Sequence, residues 1–433
     1  MGRQVDRAQP PDRRAALRCF ACGRSWPVDG YRTTHCPGCG GVLECLVDPR
    51  GWTEAELTAD QPTLWRYRGR LPEVTMPICL GEGATPLRLA PRLGGSGCEL
   101  WLKNETVNPS GSFKDRMSSV ALSWAIEHGA TRVVCASTGN AAASAAAYAA
   151  AAGVPCLVAV PAATAMGKLA QVMAYGAQVV RVAGTYSDAY ALAAELEQQE
   201  GTVNLTTTYR NPYAVCGLTT IGFELIAQLD FVPDYVYVPT GAGPLVRAVD
   251  RAYRDAMAVG LVAARPRMVA VQASGCAPIV RAFEADAAAV QPWGTPDTRA
   301  RGIADPLQGY SDEAELTLES VRSSGGHAVA VSDESIVHAA DRLARDAGIY
   351  AELAGAAGLA GLQADLATRG MEHAKAVVLV TGAGWKDSAE RDHEGRPLEF
   401  DPARDHVADL ARRWHDHTSD YASGPKARKG EDL

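Results

Sequence analysis

The chain has no excess of basic charge: its 433 residues carry 42 Lys and Arg against 50 Asp and Glu, a formal net charge of −8. A surface built for nucleic acid or an anionic membrane needs the opposite balance, so neither is expected as a partner. Long apolar runs are also missing. A bilayer span needs about 20 consecutive apolar residues, and the longest candidate, Ala141 to Ala152, is short and contains Ser144 and Tyr148. Met1 to Arg14 is charged and holds Pro10 and Pro11 instead of the apolar core of a secretory signal. A cytoplasmic protein is therefore expected. No period of 20 to 50 residues recurs, which argues against a solenoid. What is present, 47% apolar and 21% charged residues, is a globular composition, and the length allows two or three domains.

The cysteines do not read as a disulfide framework, because there are 11 of them in a long chain without an export signal. Four stand apart from the rest. Cys19-Phe-Ala-Cys22 and Cys36-Pro-Gly-Cys39-Gly40-Gly41 form two CxxC knuckles separated by thirteen residues. Two such knuckles bring four thiolates around one tetrahedral zinc ion, with glycines permitting the tight turns. A redox CxxC is the competing reading, but it belongs in a βαβ context rather than in a short Gly- and Pro-rich segment. Four cysteine ligands leave no open position, so the expected zinc is structural. Cys135 and Cys156 lie in apolar runs and read as small core residues.

From residue 81 the pattern alternates. Apolar, β-type runs occur at 99–103, 131–136, 155–160, 178–182, 235–239, 268–273, 327–331 and 375–381. Helical stretches lie among them at 116–128, 140–152, 168–175, 186–199, 217–229, 244–257, 333–346 and 356–369. Strands alternating with helices of this length predict an α/β fold with parallel sheets covered on both faces. The tail from His415 to Leu433 is polar and is expected to fray.

Four loops carry candidate chemistry. Asn108-Pro-Ser-Gly-Ser-Phe-Lys114-Asp-Arg116 puts Lys114 at the start of a helix, where the positive end of the dipole favours a neutral, nucleophilic amine of the kind that forms Schiff bases with aldehyde cofactors. An ordinary exposed lysine beginning a helix fits the same string. Ser137-Thr138-Gly139-Asn140 follows one strand and opens a helix, a place to hold a carboxylate. Gly241-Ala242-Gly243-Pro244-Leu245 follows another strand and lets backbone N–H groups approach a phosphate. Thr381-Gly382-Ala383-Gly384 follows the last strand. Each glycine loop alone is compatible with a simple strand-to-helix turn. Together they converge, because ligands in α/β sheets bind beyond the carboxyl ends of the strands.

These strings, with Gly81-Glu82-Gly83-Ala84-Thr85-Pro86-Leu87, Gly167-Lys168-Leu169-Ala170-Gln171, Asn211-Pro212-Tyr213 and the lysine of Thr381-Gly382-x-Gly384-x-Lys386-Asp387, resemble the pyridoxal-phosphate enzymes of fold type II, and among them the threonine synthases. The amino-terminal cysteine module is similar to the zinc ribbon on some of those enzymes. The resemblance implies two open twisted sheets flanked by helices, with pyridoxal 5'-phosphate as cofactor. It implies that Lys114 forms the Schiff base with Phe113 beside it, and that Asn140 bonds the phenolic oxygen. Gly241, Ala242, Gly243, Pro244 and Leu245 would cradle the cofactor phosphate, and Thr381 would meet the pyridine nitrogen. Ser110, Ser137, Thr138, Gly139 and Asn140 would bind an amino-acid substrate. The implied domains are a ribbon with an extension over 1–50, a large cofactor domain over 51–117 plus 228–395, a small substrate domain over 118–227, and a C-terminal helix and flexible tail over 396–433. A homodimer is expected by the same resemblance.

The chain also departs from the family pattern. Ala214 stands where an arginine for the substrate phosphate is expected, and Arg210, four residues earlier, is a candidate substitute. The expected reaction converts O-phospho-L-homoserine and water to L-threonine and phosphate. Open alternatives are β-replacement on O-phosphoserine as in cysteate synthases, deamination of threonine or serine, and a catalytically silent homologue acting through protein contacts. For the ribbon, one zinc per chain is expected by elemental analysis of unchelated protein; a content well below one would overturn the assignment of Cys19, Cys22, Cys36 and Cys39.

Overall fold

The computed structural model describes residues 15–28, 30, 34–50, 52, 61–95, 97–206, 208–386, 407, 409 and 412. Residues 1–388 form one compact unit and residues 389–433 a second. The expected C-terminal helix and tail lie outside the described residues except for Val407, Asp409 and Arg412, which are helical.

The ribbon comprises β1 (Ala15–Cys19), β2 (Ser25–Pro27) and β3 (Leu43–Val47), antiparallel in the order β2-β1-β3. The chain then runs through β4 (Leu87–Leu89), β5 (Glu99–Asn104), α1 (Lys114–Glu127), β6 (Arg132–Ala136), α2 (Asn140–Ala152), β7 (Cys156–Pro161), α3 (Met166–Ala174), β8 (Gln178–Val182), α4 (Tyr186–Leu196) and β9 (Thr202–Asn204). It continues with α5 (Pro212–Gln228), β10 (Tyr235–Pro239), α6 (Pro244–Ala258), β11 (Arg267–Ala273), α7 (Pro278–Glu284), α8 (Glu313–Ser323), β12 (His327–Val331), α9 (Asp333–Ala347), α10 (Leu353–Thr368) and β13 (Lys375–Val380). A six-stranded sheet has the order β12-β11-β10-β13-β5-β4, parallel except for the edge strand β4, and a parallel four-stranded sheet has the order β8-β7-β6-β9. The α/β expectation and the two open sheets hold. The interior strands are near-continuous runs of Val, Leu and Ala because helices cover both faces.

The eight predicted strands are present, with ends moved by one residue at most. β4 and β9 escape sequence reading because three residues are too few to show a period. α5 starts at Pro212 rather than at 217: the Asn211 carboxamide oxygen accepts from the N–H groups of Tyr213 and Ala214, both at 3.1 Å, and Pro212 occupies the first turn, where its missing N–H costs nothing. α8, unpredicted, buries an acidic residue, Glu313, at its start. No helix among the described residues is long and apolar enough to cross a membrane.

A buried charge network joins these elements. Arg116 on α1 reaches Glu105 (Nε to Oε2 2.8 Å, Nη2 to Oε1 2.8 Å) and Glu224 on α5 (Nη1 to Oε1 2.6 Å, Nη2 to Oε2 2.9 Å). Lys103 on β5 donates to Glu224 at 2.6 Å and to the Thr85 carbonyl at 2.8 Å. Burial alone would raise the Glu224 carboxyl, but the Arg116 and Lys103 charges outweigh it and hold it well below its ordinary range. Replacing Arg116 by Met should therefore cost about 3–5 kcal/mol, because Glu105 loses its cation and Glu224 keeps only Lys103 in a dry interior. Urea unfolding measures this, and a loss under about 1 kcal/mol would contradict it.

Candidate active site

The loops expected to carry chemistry leave the carboxyl ends of β5, β6, β10 and β13. Within the larger sheet β5, β13 and β10 are adjacent, so three of the four loops are neighbours. The 108–114 loop lies against the loop after β13: the Phe113 N–H donates to the Thr381 carbonyl at 3.1 Å and the Ala383 N–H to the Gly111 carbonyl at 2.9 Å. Gly111 adopts φ +86° under the Trp385 ring, and a Cβ there would approach that ring to 2.5 Å. Glycine is required at this position on both counts.

Lys114 is the first residue of α1. Its Nζ lies 4.5 Å from the centroid of the Phe113 ring and 3.7 Å from the Met117 sulfur. Among the described residues no carboxylate forms an ion pair with it. Loss of water lowers its ammonium from 10.5 to about 8, against the weaker opposing influence of Cys135, Asp305 and Glu352. The shift runs in the direction the sequence suggested, toward the neutral amine, but desolvation rather than the helix dipole is its leading cause.

Asn140 opens α2. Its Nδ2 donates to Glu352 Oε1 at 2.7 Å, and its Oδ1 accepts from Lys386 Nζ at 2.9 Å. The amide keeps a second N–H for a ligand. Glu352, buried before α10, also receives close approach from the Thr381 loop: a Cβ on Gly382 would lie 2.3 Å from Glu352 Oε1. Ser137 and Thr138 are half-buried and Gly139 is exposed at the start of α2.

The carbonyls of the Gly241 loop are each held by a side chain. Gln272 Nε2 donates to Gly241 O at 3.2 Å, Thr317 Oγ1 to Ala242 O at 2.7 Å, and Tyr209 Oη to Gly243 O at 3.2 Å. Among the described residues no protein group accepts from the N–H groups of Gly241, Ala242 or Gly243. Gly243 has φ +91°, and a Cβ on it would sit 2.4 Å from Thr317. Pro244 begins α6 directly after it. Three unused N–H groups at the head of a 15-residue helix form an anion cradle. With the unpaired amine of Lys114 and the second N–H of Asn140, these groups fit pyridoxal phosphate.

Two predicted substrate residues have protein partners. The Ser110 hydroxyl donates to Asp115 Oδ1 at 2.5 Å and is fully buried, so it braces the loop. Arg210 is paired with Glu197, Nη2 to Oε2 at 2.7 Å, and lies over the Tyr190 ring. Sequence reading missed Asp305, whose carboxyl is raised by burial and whose Oδ1 accepts from Tyr310 Oη at 2.7 Å and Leu307 N at 3.0 Å. It also missed the roles of Gln272, Thr317, Tyr209 and Lys386. Lys386 was visible as part of a quoted string; the others had no signal beyond residue type.

The four cysteine sulfurs of the ribbon lie within 4.8 Å of one another, with Cys19–Cys39 at 3.5 Å and Cys22–Cys36 at 3.7 Å. Ligands of a tetrahedral zinc with Zn–S about 2.3 Å are spaced by about 3.8 Å. Backbone N–H groups of Cys22 and Gly38 donate to the sulfurs of Cys19 and Cys36. The donor set fits a zinc ion.

This assembly of lysine, anion cradle and strand-end loops defines a pyridoxal-phosphate enzyme of fold type II. The chain belongs to the pyridoxal-phosphate dependent enzyme family, whose profile matches residues 78–382. Within it, threonine synthases are among the curated relatives. That of Methanosarcina acetivorans is 38% identical, covering 86% of this chain and 92% of the relative. That of Methanocaldococcus jannaschii is 39% identical with the same coverage. Maize serine racemase, 22% identical, superposes with a TM-score of 0.60 over 78% of this chain and 93% of its own, a likeness of fold. The chain is a threonine synthase-like, pyridoxal-phosphate-dependent lyase.

In the cofactor-free protein, Lys114 is mostly charged below about pH 8 and mostly neutral above it. The rate at which it reacts with an aldehyde should rise as pH passes from about 7 to 9 and then level. Peptide mapping after borohydride reduction measures it. A rise that continues toward 10.5, as for an exposed lysine, would show that burial does not tune the amine.

Proposed function

We propose that the enzyme converts O-phospho-L-homoserine and water to L-threonine and phosphate. The observation that carries this reading is the depressed Lys114 amine beside a cradle of unused N–H groups, taken with relatives named threonine synthase. Bound there, pyridoxal phosphate supplies an electron-withdrawing ring that acidifies the carbon next to the substrate nitrogen. The protein's own groups do the rest. Gly241, Ala242 and Gly243 hold the cofactor phosphate. Thr381 offers a neutral hydroxyl to the ring nitrogen, which leaves that ring a weaker electron sink, suited to elimination and replacement. Ser137, Thr138 and the start of α2 orient the substrate carboxylate. Lys114, whose ammonium is lowered by burial to about 8, takes and returns protons.

Lys386, held on Asn140, supplies positive charge on the substrate side, where Ala214 has none and Arg210 is engaged by Glu197. We assign the substrate phosphate to Lys386. The segment 118–227, which carries the four-stranded sheet, is read as the small substrate domain, with 51–117 plus 228–395 as the large one. The structural zinc, a homodimer and a cytoplasmic site complete the proposal.

A second reading, deamination of threonine or serine, draws on the same engagement of Arg210, since those substrates carry no phosphate to bind. Phosphate release and product identity decide between them. With O-phospho-L-homoserine, equal amounts of phosphate and threonine are expected, with little keto acid from L-threonine alone; the reverse would favour deamination, and O-phospho-L-serine with sulfite tests β-replacement. Lys386→Met should raise KM for O-phospho-L-homoserine at least tenfold, whereas Arg210→Ala should change it by less than about threefold. The opposite pattern would move the phosphate site to Arg210.

A further inference from the structure

The ribbon lies against the structure that shapes the phosphate cradle. Two connections run from the zinc-binding cysteines to the Gly241–Gly243 loop. In the first, Glu44 on β3 forms a two-pronged pair with Arg247, Nε to Oε1 at 2.7 Å and Nη2 to Oε2 at 2.8 Å. Arg247 lies in the first turn of α6, and its N–H donates to the Gly243 carbonyl at 3.3 Å. In the second, Val42, which leads into β3, packs with the fully buried Tyr209, and Phe20, which follows Cys19, packs on the same cluster. The Tyr209 hydroxyl lies 3.2 Å from Gly243 O and 2.8 Å from Thr317 Oγ1, so its one proton is shared between these two acceptors, while Thr317 Oγ1 donates to Ala242 O.

We propose that the ribbon is a positioning element for the cofactor-phosphate loop. Glu44 acts through Arg247, and Phe20 and Val42 act through Tyr209, to hold the loop carbonyls back so that the N–H groups face the anion. The proposal rests on reading Gly241–Leu245 as that loop. Arg247 and Tyr209 are buried, and Glu44 and Phe20 half-buried, so disturbing the ribbon is felt at the loop as a change in cofactor retention. Glu44, Arg247 and Tyr209 are thus positioning residues, and the metal that closes the knuckles holds them indirectly.

The test titrates pyridoxal phosphate onto the full chain by absorbance, with zinc content measured in each sample. Tyr209→Phe removes the hydroxyl that holds Gly243 O and should weaken cofactor binding about 3- to 10-fold, the range for one lost hydrogen bond. Glu44→Gln should weaken it at least threefold at unchanged zinc content. Thr317→Val, which alters the loop without touching the ribbon, is the control for the loop itself. If Thr317→Val weakens binding while Tyr209→Phe and Glu44→Gln stay within twofold of the parent, the ribbon's role is refuted and the loop assignment stands. If all three stay within twofold, the loop assignment fails and the proposal with it.

A second measurement needs no variant. Coupling between two sites is reciprocal in affinity, so saturating pyridoxal phosphate should tighten zinc binding at least threefold, read by equilibrium competition with a chelator. Glu44→Gln should reduce that gain. Equal zinc affinity with and without the cofactor would overturn the proposal.

Discussion

Arg116 binds two carboxylates at once, and much of the site depends on it. Its guanidinium grips Glu105, just after β5, and Glu224, in the middle of α5, while Lys103 and Thr85 complete the cluster. The N–H groups of Ala84 and Thr85 donate to Glu224, and Asn108 ties Glu105 to Gly83. A strand end, two loops and two helices are thereby fixed by one charged knot in a dry interior. Such a knot gains little net stability over an apolar core, but it cannot lose a partner cheaply. Lys114 stands two residues before Arg116, so the reactive amine takes its place from this network. Asp115 adds a second tether by accepting from the N–H and hydroxyl of Ser110.

Two lysines show how the same physics serves structure and chemistry. Lys103 and Lys114 both have their ammonium groups lowered by burial. Lys103 is compensated by Glu224, Gln228 and a carbonyl, and its charge belongs to the knot. Lys114 has a thioether and an aromatic face in their place, which stabilise a charge weakly. An amine left without a strong partner yields its proton at about pH 8 and is available to react. The cradle follows a parallel logic: its carbonyls are all engaged by Gln272, Thr317 and Tyr209, and its N–H groups are left over.

Much was legible in the sequence, for identifiable reasons. Runs of Val and Ala bounded by glycine loops gave the strands because parallel sheets covered on both faces need continuous apolar stretches. The paired CxxC knuckles marked the ribbon because four thiols at fixed spacing have few other uses. Lys114, Asn140, Gly241–Leu245 and Thr381 stood out as candidates because each lies in a short string at a strand end. Ser110 and Arg210 have protein partners that the sequence did not announce: Asp115 and Glu197, five and thirteen residues away in sequence, bond them, and no local pattern signals such pairing.

The amino-acid sequence by itself determined the α/β class, the cysteine cluster and the order of the reactive loops, since these rest on periodicity and on local spacing. Tertiary structure alone decided which charges meet. Glu44 and Arg247 are 203 residues apart, Tyr209 and Thr317 108, and Asn140 and Glu352 212. Each pair acts through a contact of 2.7 or 2.8 Å. Hydrogen bonds and desolvation work over a few ångströms in space, a distance to which position along the chain is blind.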